Sequence, residues 1–136
     1  MLGEKIGEET GKITGRRILE GDDYRYVKIE TSFETQATIL GMQGVNMGTF
    51  TIFERIPGQV YAEGRGIFMT MDGQGGIWNG HGVGRMSDDG KMAVAASIAF
   101  QTDSDKLSKL NGMLVLVEHT SDFEGNAHST LFAWTA

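Results

Sequence analysis

The clearest pattern in the chain is a period of two. Between residues 24 and 39, Val27, Ile29, Thr31, Phe33, Thr35, Ala37 and Ile39 alternate with Lys28, Glu30, Ser32, Glu34 and Gln36. Apolar and polar residues that alternate in this way line opposite faces of a half-buried β-strand. Seven further strands are read between turn signals. They fall at about 11–20, 45–55, 59–70, 76–86, 91–101, 113–121 and 126–135. The punctuation is Gly21-Asp22-Asp23, Gly41 to Gly44, Pro57-Gly58, Asp72 to Gly75, Ser87 to Gly90 and Asp122 to Gly125. The longest connection, Thr102 to Asn111, has room for one helical turn, with Leu107 and Leu110 capping an end of the core. Residues 1–9 are polar and Gly-interrupted and are expected to fray. Residues 10–136 then form one domain.

Eight strands with short connections and no crossover helix make a meander, which removes its edges by closing the first strand on the last. The expected fold is all-β: a closed antiparallel up-and-down barrel of about eight strands with minimal helix. A sandwich is the alternative.

Composition adds one anomaly. Glycine supplies 20 of 136 residues while proline occurs once. Without low-complexity runs, these glycines belong to turns and strands. Ala62, Gly64 and Gly66, then Gly80, Gly82 and Gly84, then Ala93, Ala95, Ser97 and Ala99 occupy alternate positions on three successive strands. If all three sets share a face, they form one patch of small residues. Such a patch either accommodates large side chains from the opposite wall (Phe33, Phe53, Leu116, Phe132 and Trp134 are candidates) or leaves a ligand cavity. The strand at 91–101 is apolar on both faces, with Met92, Val94, Ala96, Ile98 and Phe100 opposite the small set. A strand apolar on both sides needs a cover outside the barrel, and a second copy of the chain is the simplest one. A homo-oligomer is therefore expected.

The net charge of −6 and the absence of a basic face argue against nucleic acid as a partner. With no cysteine, thiolate nucleophiles, disulfides and Cys-ligated metals are excluded. His81, His119 and His128 have no spacing that aims two rings at one ion, so no metal is expected. The glycine clusters lack the strand–loop–helix context of nucleotide loops, and no cofactor is expected. No run has the length of a membrane helix and the first residues lack a signal-type apolar stretch, so a cytoplasmic protein is expected.

The candidate ligand-binding residues are polar groups near the small-residue strands: Glu63, Arg65, Asn79, His81 and Arg85. Glu118 joins them. It follows the apolar run Leu114-Val115-Leu116-Val117 and faces inward if Leu114 and Leu116 do, whereas His119 then faces out. A small apolar or amphipathic ligand in the barrel mouth is the leading expectation. A cofactor-free enzyme of cyclase or isomerase type, with Glu118 or His81 as acid–base group, is one alternative, and a homo-oligomeric structural protein without a ligand is another.

The glycine strands from Gly64 to Gly84 carry a resemblance, together with Ser97-Ile98-Ala99-Phe100-Gln101-Thr102, Ser104, Lys106-Leu107 and Leu110-Asn111-Gly112. Asp122-Phe123-Glu124-Gly125-Asn126 and Phe132-Ala133-Trp134 complete it. From about Thr10 onward, the chain resembles small uncharacterised bacterial proteins grouped structurally with the allene oxide cyclase barrel. The resemblance implies an eight-stranded antiparallel barrel. Plant allene oxide cyclase binds an unsaturated fatty-acid epoxide in its barrel and uses no cofactor. None of its active-site residues maps onto this chain by a motif.

Overall fold

A computed structural model describes residues 3–21 and 28–135. Its strands are β1 (Lys5–Leu19), β2 (Lys28–Ile39), β3 (Met42–Ile56), β4 (Gln59–Thr70), β5 (Gly75–Met86), β6 (Met92–Gln101), β7 (Leu114–Ser121) and β8 (Asn126–Trp134). They pair in sequence order, all antiparallel, and β1 closes on β8. The closed barrel is the architecture expected from the meander. Asp22 and Asp23 of the first turn and the start of the second strand, residues 24–27, lie outside the described residues. Inside them, Thr31, Thr35, Ala37 and Ile39 are buried while Glu34 and Gln36 are exposed, as the alternation requires.

The N-terminal segment corrects the expectation of fraying. β1 begins at Lys5, and residues 7–12 hydrogen-bond to β2 on one side and β8 on the other. Barrel closure provides the reason: both flanking strands need these backbone groups as partners.

One end of the barrel is plugged. The connection from β6 to β7 contains a 3-10 helix, Asp105–Leu110, whose Leu107 and Leu110 are fully buried. They join Ile39, Phe68, Phe100 and Val115 in the larger core cluster. Polar contacts hold the plug in place. Asn111 accepts from the Thr102 amide at 3.0 Å and donates to its carbonyl at 2.9 Å. Thr102 Oγ1 donates to the Gly75 carbonyl at 2.6 Å, and Lys106 pairs with Asp72 at 2.7 Å. A smaller cluster of Ile52, Val60, Met92 and Val94 occupies the other end.

The glycine face resolves into two parts. On β4 and β5 the small residues point inward. On β6 the order is reversed: Met92, Val94, Ile98 and Phe100 are buried, and Ala93, Ala95 and Ala99 are exposed. The expected single patch therefore does not exist. The register explains the break, because Gly80, Gly82 and Gly84 lie opposite Ile98, Ala96 and Val94. Each inward glycine on β5 makes room for a larger inward neighbour on β6. Elsewhere the space goes to aromatic rings. A Cβ on Gly48 would stand 2.8 Å from both Phe33 and Trp78. Among the large side chains expected to fill the interior, Phe33 does so, beside Phe50 and Trp78. Phe53 instead packs on Tyr61, ring centroids 5.9 Å apart, beneath the Lys28 ammonium.

Candidate functional site

Between the two core clusters lies a cavity of about 100 Å³. That is smaller than the roughly 150 Å³ apolar cavity that admits benzene, so a ligand of that size requires the wall to give. Its apolar wall is built by Phe33, Phe50, Trp78, Val94, Ile98, Val117 and Leu131. The rings form a cluster: Phe33 lies 5.9 Å from Phe50 and 6.1 Å from Trp78 between centroids.

Polar groups interrupt this wall in two connected sets. Glu9 is only 7% exposed, and its Oε2 accepts from Thr35 Oγ1 at 3.0 Å and from Asn46 Nδ2 at 2.7 Å. Asn46 Oδ1 in turn accepts from the Trp78 indole N–H at 2.8 Å. These bonds fix the Asn46 amide orientation and hold one carboxylate oxygen in place. The second set is His119 and Ser129, whose Nδ1 and Oγ are 2.8 Å apart. His119 Nε2 is closed off from water and has no hydrogen-bond partner among the described residues. Burial, with a smaller contribution from His128, pushes the His119 pKa down to about 4. The imidazole is therefore neutral near pH 7. Glu9, Ser129 and His119 form one row across β1, β8 and β7. Two strand spacings place the Glu9 and His119 backbones ~10 Å apart.

The polar residues singled out in the sequence lie elsewhere. Glu63, Arg65, Asn79, His81 and Arg85 are exposed on the outer face of β4 and β5. There Glu63 stands opposite His81 and Arg65 opposite Asn79. The chain at Glu63 and His81 borders the cavity between inward glycines, but the residues are exposed. Glu118 is exposed on the outer face of β7, opposite Ala95. All six are thus outside the interior site. The reason is parity. On β7 it is Val115 and Val117 that point inward, so His119 follows them and Glu118 faces out. Glu9 was missed because it sits in the segment expected to fray. Thr35, by contrast, shows its position openly, as a polar residue at an inward place in the β2 alternation.

At the end away from the plug, a groove adjoins the cavity. Met92 and Ala127 line both the cavity and an open groove of about 800 Å³ beside Pro57, Lys91, Asp122 and His128. No cluster of three or more His, Asp or Glu suited to a metal occurs among the described residues, and none of their helices is long and apolar enough to cross a membrane.

No protein-family model matches the sequence, and no curated protein does. Solved structures do match. A protein of unknown function from Clostridium acetobutylicum ATCC 824 superposes with a TM-score of 0.82 at 13% identity, covering 97% of this chain and 98% of that one. A β-barrel-like protein from Acinetobacter baumannii AYE gives 0.80 at 12% identity, with 98% and 96% covered. An enzyme from Penicillium herquei gives 0.72 at 15% identity, with 96% and 92% covered. At such identities the likeness shows the fold, here shared with bacterial barrel proteins of unknown function, and no activity follows from it.

Proposed function

We propose that the barrel binds a small apolar or amphipathic molecule in its interior. The observation that carries this reading is the cavity itself: apolar walls around a few fixed polar groups, the usual constitution of a ligand site. An interior meant only to be filled has no use for Glu9, Asn46 and His119 at inward positions, where aliphatic side chains would pack without polar cost. The sequence's resemblance to proteins grouped with the allene oxide cyclase barrel, in which the plant enzyme takes its ligand inside, supports this reading.

The test is direct. Toluene or benzyl alcohol at saturating concentration raises the melting temperature and shifts the Trp78 indole N–H resonance. A ligand at about 100 times its Kd adds roughly 2.7 kcal/mol. A crystal structure with the interior filled by side chains, and no response to either probe, overturns the proposal.

A second reading, a cofactor-free isomerase or cyclase, is favoured by one observation. Glu9 and a neutral His119 imidazole line the same cavity. Its acid–base group is then Glu9, in place of Glu118 and His81, with the His119–Ser129 pair as part of the wall.

A further inference from the structure

The charge balance of the cavity narrows the ligand class. Among the described residues Glu9 and His119 point into it, Glu63 and His81 border it from the exposed outer face, and no Lys or Arg lines it. His119 carries no positive charge near pH 7, because burial holds its pKa at about 4. Glu9 thus faces the cavity with no cationic side chain beside it among the described residues. Its Oε2 takes both hydrogen bonds, from Thr35 and Asn46, and Oε1 has no hydrogen-bond partner among the described residues. A carboxylate accepts about four hydrogen bonds, so half of this capacity is unused. A buried carboxylate without a counter-charge is unfavourable, and a complementary charge offsets that cost.

The aromatic side of the cavity has the same preference. Phe33, Phe50 and Trp78 line it together. Aromatic faces are electron-rich and attract cations, most strongly where water is excluded. The Trp78 N–H is already committed to Asn46, so the indole offers the cavity its ring rather than a donor. An anionic ligand would meet Glu9 in repulsion, and a pure hydrocarbon would leave Oε1 unsatisfied.

Resting on the ligand-binding reading above, we propose that the interior ligand is a small hydrophobic amine in its protonated form. Its ammonium donates to Glu9 Oε1 and lies against the aromatic rings, and its hydrocarbon body fills the space toward Val94, Ile98 and Val117. His119 Nε2 takes no part, being closed off in the ligand-free arrangement.

The experiment uses the full-length protein at pH 7 and three probes of nearly equal shape: benzylamine, benzyl alcohol and toluene. Affinities are read by calorimetry, and the site is read from the Trp78 indole and Asn46 amide resonances. Benzylamine is expected to bind at least roughly tenfold tighter than benzyl alcohol, and Glu9→Gln to abolish that preference while leaving toluene within about threefold. Equal binding of amine and alcohol to the unmodified protein overturns the amine assignment and leaves interior binding standing. An amine preference that survives Glu9→Gln overturns the role of Glu9. Binding by none of the three probes overturns the interior-binding reading and this inference with it. Should Glu9→Gln fail to fold, the amine-to-alcohol ratio in the unmodified protein and the shift of the Asn46 amide, which contacts Glu9 directly, still decide the matter.

Discussion

His119 shows how a single buried group couples the interior to pH. Its pKa falls from 6.5 to about 4 because the fold removes the ring from water. The unfolded chain takes up this proton at higher pH than the folded one. The corresponding stability is complete above about pH 6.5 and is lost as pH falls through about 4. The difference amounts to roughly 3 kcal/mol. Denaturant unfolding between pH 7 and 4 should show this loss, and His119→Phe should flatten that part of the profile. An unchanged profile in the variant would place the acid sensitivity elsewhere. Glu8, Asp72, Asp89 and Asp122 are all held below their usual pKa by hydrogen bonds and neighbouring charge.

The strands and turns make the two ends of the barrel unequal. At one end the helix Asp105–Leu110 inserts Leu107 and Leu110 and is tied down by Asn111, Thr102 and Lys106. At the other, the first residue of β6, Met92, stands between the cavity and the open groove. Methionine has three flexible torsions and adapts to passing molecules. Met92→Trp is therefore expected to slow toluene exchange on the order of tenfold with a smaller change in affinity, since passage acts on both rates. Met92→Ala should speed it. Line-shape analysis of the Trp78 indole resonance measures both. Exchange that ignores Met92 but responds to Leu110→Ala would move the entrance to the plugged end.

For the molecule as a whole, the outer surface raises the question of self-association. On β6 the exposed face is Ala93, Ala95 and Ala99, with Val83 exposed on β5 and Leu114 exposed on β7. In register, Val83 stands opposite Ala95, and Ala99 opposite Leu114. These small side chains, flanked by Arg85, Asn79 and Glu118, allow close approach of an identical face across a two-fold axis. Light scattering should therefore give a mass above the 14.8 kDa of one chain. Ala95→Lys with Ala99→Lys should return it to that value. Val94 and Ile98 cannot serve this purpose, since both are buried in the barrel. A mass of one chain at micromolar concentration in the unmodified protein removes the proposed dimer.

The barrel was legible in the chain because it is written in local chemistry. The β2 alternation, the turn dipeptide Pro57-Gly58 and the run from Lys106 to Leu110 each specify a local conformation, and short connections leave the meander little choice of topology. β4 runs from Gln59 to Thr70, where the turn signals placed it, and Leu107 and Leu110 cap the core. What lies inside was harder to read. A strand has two faces, and which one turns inward depends on its neighbours rather than on its own residues. Where a face is plainly polar, as on β2, the choice is visible. Where both faces are apolar or small, as on β6, only the register opposite Gly80, Gly82 and Gly84 decides it. The same one-residue parity separates Glu118 from His119. Glu9 depended on closure itself, since a polar N-terminal segment becomes an interior strand only when β8 and β2 both require a partner. The wall residues of the site were all present in the sequence, and three-dimensional pairing alone set which of them face one another.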